Sequence, residues 1–127
     1  MNIGITLVKI AAIYMLIGVV MGVAMGMSGN FSLSSAHSHI LLLGWATMSI
    51  AGILYMLIPG CNHNRLAMLH FWLHNIGLPV MTASLVLYVY GYQDAEKTVG
   101  VGSVLILISL LVFTINLYRN GRLERPA

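Results

Sequence analysis

The chain has 127 residues, of which 59% are apolar and only 7% charged, with a formal net charge of +3. A soluble domain carries roughly 45–50% apolar and about 25% charged residues, so the composition excludes an ordinary water-soluble enzyme and points to a chain whose solvent is lipid. The basic residues are too few and too scattered for a nucleic-acid surface, and no nucleic-acid partner is expected.

Four long, nearly uncharged stretches predict transmembrane helices at about residues 3–27, 36–59, 66–90 and 98–118. Each is near or above the roughly 20 residues needed to cross hydrocarbon. The expected fold class is an all-α membrane protein, one four-helix transmembrane bundle over residues 1–127. The connections 28–36, 60–65 and 91–98 are short and rich in Gly, Asn, Ser or charge, as turns between antiparallel neighbours are.

The first stretch ends in Gly26-Met27-Ser28-Gly29, which loosely resembles a secretory cleavage region, but it lacks a basic start and is too long for a signal h-region. It is expected to stay in the protein. Gly18, Gly22 and Gly26, spaced by four, put three glycines on one face and invite close approach of another helix. In the second helix Gly44 and Gly52 share a side, because eight residues turn a helix by about 800°. Spacing leaves open whether this ridge packs within a protomer or between protomers; the lipid-facing surface left over on so small a chain favours a homo-oligomer.

With four spans both termini share one side of the bilayer. That side holds Lys9, Arg65, Arg119, Arg122 and Arg125, while the other holds Lys97 beside Asp94 and Glu96. The positive-inside bias therefore puts the termini and the second connection in the cytoplasm, and the localisation expected is the bacterial inner membrane, multi-pass. The Arg-rich tail reads as an anchor at anionic lipid headgroups. Cys61, the single cysteine, falls in the second connection and is expected to be a reduced thiol.

Ionisable side chains inside a span are costly and mark functional positions. Four of the five histidines fall in two pairs, His37 with His39 at the outer end of the second helix and His70 with His74 near the inner end of the third, while His63 sits in the connection. At 1.5 Å rise per residue the pairs are separated by roughly 15–25 Å along the membrane normal and cannot ligate one ion together. His70 and His74 are one turn apart on one face, which suits one metal ion gripped by both rings, or one ligand with its neighbour as a hydrogen-bond partner. His37 and His39 diverge by about 200° on a regular helix, so only one can point at a given centre.

Met15, Met21, Met25 and Met27 crowd the first helix, the last three at the same outer end as His37 and His39. Thioethers with imidazole suit Cu(I), or a Met can be a haem axial ligand. Equally, the nine methionines of the chain include several far from any histidine, as packing residues would be. Tyr88, Tyr90 and Tyr92 fit an interfacial belt, while Trp45 and Trp72 lie inside spans, where they pack or flank a planar cofactor. No Asp or Glu lies within a span, which disfavours a proton pump, and Lys9 is near enough to the inner face to snorkel.

The run Ala36-His37-Ser38-His39-Ile40-Leu41-Leu42-Leu43-Gly44-Trp45, then Ile53-Leu54-Tyr55 to Pro59, then Leu66-Ala67-Met68-Leu69-His70-Phe71-Trp72, resembles helices two and three of subunit I of the haem-copper oxidases. The nitric oxide reductase and cbb3-type branches are the most similar. In that family the second helix opens with His-Thr-Asn, whose His is an axial ligand of the low-spin haem near the outer face. The resemblance implies that His37 takes that role, with Ser38 and His39 at the Thr and Asn positions and His39 as the alternative ligand.

The family's other haem ligand and its copper ligands lie on later helices with no counterpart here. The resemblance therefore implies a haem b-binding relative that transfers electrons or binds a diatomic gas, without reducing oxygen or nitric oxide by itself. The second axial ligand would come from another histidine, a Met or a second protomer, or be absent. A redox partner protein and the lipid bilayer are the expected partners. Two rival classes fit the same residues: a copper-binding membrane protein using the outer His and Met cluster, and a structural or assembly subunit of a respiratory complex.

Overall fold

A computed structural model describes residues 1–123; Arg125 of the Arg-rich tail lies outside the described residues. Among those residues every regular element is helical. Four helices are long and apolar enough to cross a membrane, α1 (Ile3–Ser28), α2 (Ser34–Leu57), α3 (Arg65–Val89) and α4 (Ala95–Asn120), the architecture of a multi-pass membrane protein. Large apolar side chains such as Val20, Leu42, Leu107 and Leu111 are exposed all round the bundle, as lipid-facing surface should be.

Local chemistry sets the ends. The Asn2 side chain accepts from Ile5 N–H at 3.2 Å at the start of α1, and Gly29, at φ 68°, closes α1 in the left-handed conformation that glycine adopts without a Cβ clash. Asn64 caps α3 through Ala67 N–H at 2.8 Å. Ile58 sits at φ −121° and ψ 86°, because the ring of Pro59 disfavours a helical residue before it, and α2 stops there.

Two elements differ from the sequence expectation. α2 is not one regular helix over 36–59: it is α-helical over Ser34–His39, π-helical over Ile40–Thr47 and α-helical again over Met48–Leu57. The second connection is not an exposed loop either. Pro59–Asn62 forms one helical turn folded under the bundle, with Cys61 and Asn62 buried.

The helices associate as two hairpins, α1 with α2 and α3 with α4. Glycine makes each approach possible: a Cβ on Gly52 would lie 2.6 Å from the Gly4 carbonyl oxygen, and one on Gly102 would lie 2.5 Å from the Met81 nitrogen. The α1 ridge packs inside the chain at two of its three glycines, Gly18 against Leu41 and Gly22 against His37, whereas Gly26 meets no atom within 4 Å.

At the end where Asn2, the Pro59–Asn62 turn and the last turn of α4 meet, five asparagines tie the hairpins together. Asn62 accepts from Gly4 N–H at 2.9 Å and donates to Asn2 at 3.0 Å. Asn116, fully buried, accepts from Asn64 at 2.8 Å and Asn120 at 2.9 Å and donates to the Cys61 carbonyl at 3.0 Å. Among the described residues no such clamp occurs at the other end, where Met21, Met25, Asn30, Leu33 and Tyr90 line a crevice of about 270 Å³.

Candidate functional site

The two histidine pairs occupy different environments. His37 stands on α2 three residues from its start and is half-buried against α1. Its Nδ1–H donates to the Gly18 carbonyl at 2.8 Å, and its ring lies on Gly22, where an added Cβ would come within 2.9 Å of Cε1. A neutral imidazole has one N–H, so Nε2 of His37 keeps its lone pair and has no hydrogen-bond partner among the described residues. His39 donates Nδ1–H to Ser35 O, one turn earlier on its own helix, at 2.7 Å and likewise keeps a free Nε2. The difference is packing: His37 is held by a neighbouring helix, His39 only by its own.

His70 and His74 are 1% and 0% exposed. Their rings meet edge to face with centroids 5.5 Å apart. Nδ1 of His70 is hydrogen-bonded to the Tyr55 hydroxyl of α2 at 3.0 Å, while Nε2 is buried without a partner. His74 donates Nε2–H to the Leu43 carbonyl in the π segment at 3.0 Å, and its Nδ1 lies 3.3 Å from the Ser109 hydroxyl of α4. Phe113 closes the site, 5.1 Å from the His70 ring centroid.

The two pairs stay apart along the bundle: His74 meets the Leu43 carbonyl, six residues along α2 from His37, and His70 meets the Tyr55 hydroxyl, eighteen residues along it. His37 and His70 or His74 still form two sites and not one. Among the described residues no three or more His, Cys, Asp or Glu side chains come together.

The other candidates divide as follows. Met25 is buried and lines the outer crevice with Met21, whereas Met27 is 85% exposed. Trp45 and Trp72 face outward, so neither packs in the core of the chain. Tyr88, Tyr90 and Tyr92 are exposed at the end of α3. Cys61 is free, buried, and donates its S–H to the Asn116 carbonyl at 3.6 Å; burial pushes its thiol pKa up. Sequence reasoning missed Tyr55, Ser109, the Leu43 carbonyl and the asparagine clamp. Buried Ser and Asn in otherwise apolar spans were the available signal.

For haem, the test is whether a ring nitrogen is presented as an iron ligand needs. His37 meets it, with one nitrogen held by a backbone carbonyl and the other free, the arrangement that fixes tautomer and orientation in ligating histidines. Were a haem held there, His37 would supply one axial ligand per chain. No protein-family model matches this chain, and no curated protein or solved structure is significantly similar to it.

Proposed function

We propose that this chain is a haem b-binding integral membrane protein, a four-helix relative of subunit I of the haem-copper oxidases, that transfers electrons or binds a diatomic gas. The observation that carries this reading is the state of His37: Nδ1–H tied to Gly18 at 2.8 Å, ring seated on Gly22, and Nε2 free. That residue is the one to which the resemblance assigns the axial ligand. The Gly18 carbonyl orients the ring and raises the basicity of Nε2, and the absent Cβ of Gly22 gives the ring its bed.

When bound, the haem supplies a redox-active iron whose second axial position is either open to a gas or filled from elsewhere. A second copy of the chain supplies the missing ligand most simply, since one histidine per chain becomes two across a two-fold axis. The positive-inside bias of the basic residues supports a reading with the termini and the Pro59–Asn62 turn in the cytoplasm and His37 at the outer side of a bacterial inner membrane, where a redox partner protein would dock.

An absorption spectrum of the detergent-purified protein tests the reading, taken oxidised, dithionite-reduced, and reduced with carbon monoxide. Sharp reduced α and β bands are expected. A carbon monoxide shift means an open axial position, and its absence means two protein ligands. No haem band after haem-replete expression overturns the proposal.

A further inference from the structure

The inner pair is built differently from the outer one, and its donor and acceptor count does not close. Ser109 has one hydroxyl proton, and the 2.7 Å contact to the Ile106 carbonyl takes it in preference to the 3.3 Å contact to His74. His74 has committed its N–H to Leu43, so its Nδ1 lone pair faces an oxygen with no proton to offer. His70 Nε2 has no partner of any kind and is buried. Two adjacent imidazoles thus each have one nitrogen hydrogen-bonded to oxygen and one left unsatisfied. In an apolar interior each unsatisfied group is destabilising.

We propose that His70 Nε2 and His74 Nδ1 together bind one cuprous ion, a metal site separate from His37. Each ring has the outer partner that ligating histidines have, the Tyr55 oxygen for His70 and the Leu43 carbonyl for His74. With the metal on Nε2, the His70 proton sits on Nδ1 and is donated to Tyr55. Rings 5.5 Å apart admit an ion about 2 Å from a nitrogen of each after small ring rotations.

The donor set selects the ion. Imidazole nitrogens suit copper and zinc, but a divalent ion in this apolar setting would need anionic ligands or further donors. Among the described residues none faces the pair: α2 offers Tyr55 and the Leu43 carbonyl, α4 offers Ser109 and Phe113. The charged residues of the four helices, Lys9, Arg65, Glu96, Lys97 and Arg119, are all exposed. A monovalent d¹⁰ ion that accepts two neutral nitrogens fits this setting.

The test is anaerobic Cu(I) loading of the haem-free protein carrying His37→Ala and His39→Ala, followed by competition with a chromogenic Cu(I) chelator and copper X-ray absorption. One copper per chain is expected, with a two-coordinate edge feature and two nitrogen scatterers. Adding His70→Leu or His74→Leu should abolish it in protein that keeps its helicity, and Tyr55→Phe should weaken retention by about tenfold. Absence of bound copper in the helical His37/His39 variant overturns the site, as does a spectrum with sulfur ligands or with three or more nitrogens. Because haem is assayed by its own bands, either proposal can fail while the other stands.

Discussion

The 3.0 Å hydrogen bond from His74 Nε2 to the Leu43 carbonyl joins the two hairpins at the one stretch of α2 that is not α-helical. It crosses an interface that is otherwise less extensive than those within the hairpins, so it contributes to holding them together. His74→Leu removes the donor of that bond and should destabilise the metal-free protein by about 1–3 kcal/mol, whereas His74→Gln, which keeps a donor, should lose less. Thermal loss of helicity in detergent measures both.

The outer histidines should separate cleanly. His37→Ala is expected to remove the reduced α band, and His39→Ala to leave it in place, because only His37 is oriented by a neighbouring helix. A haemochrome assay on the two variants decides; loss with His39→Ala alone would move the ligand by two residues.

Two glycines of the α1 ridge make a matched control. Gly22→Ala drives a methyl to within 2.9 Å of the His37 ring, while Gly26→Ala meets nothing within 4 Å. Overpacking of this kind costs about 1–3 kcal/mol. Gly22→Ala should therefore lower both melting temperature and haem content, and Gly26→Ala neither, unless Gly26 packs against a second copy, which loss of the oligomer on size-exclusion chromatography would reveal.

Asn116→Leu should be the most damaging single change at the clamped end. It removes the acceptor of Asn64 and Asn120 and the donor to the Cys61 carbonyl; Asn64 keeps its bonds to the Gly60 carbonyl and Ala67 N–H, and a buried polar group left unpaired costs about 1–3 kcal/mol. Faster proteolysis in the Pro59–Arg65 segment, scored by mass spectrometry, would report the opening.

Cys61 gives a pH-dependent readout of the same clamp. Burial raises its thiol pKa, and only the thiolate attacks a maleimide. The folded state favours the protonated thiol, so this contribution to stability is full below the ordinary thiol pKa and is lost as pH rises above it. Labelling in the folded protein should be slow at neutral pH, quicken above the ordinary thiol range, and be fast throughout in Asn116→Leu.

The number and placement of the spans were legible because hydrocarbon thickness demands long apolar runs, and that demand is local in sequence. Which side of each helix faces inward was not legible from hydrophobicity, since lipid and core are equally apolar. Here the inward faces are marked by small and polar residues, Gly4 with Gly52, Gly77 with Gly102, and His70, His74 and Ser109. The histidines could be picked out as residues foreign to lipid, but their partners could not. Tyr55 reads as one more aromatic, and the Leu43 carbonyl belongs to a side chain with no chemistry of its own. The buried turn at Pro59–Asn62 was hidden because its Gly, Cys and Asn read as a surface loop.

The π segment also bears on chain length. A helix of eight π residues holds its turns wider than the α-helices on either side, so Ile40–Thr47 is where α2 can shed a residue and relax to α geometry with its backbone still paired. Elsewhere in a bilayer-spanning helix a deletion rotates one end against the other by about 100° with nothing to absorb it. Here the π segment absorbs it, so His37 keeps its glycine bed and Tyr55 and the asparagine clamp stay where they are. A one-residue deletion at this segment would thus fall on the Leu43 carbonyl that His74 bonds and spare both ends of the molecule.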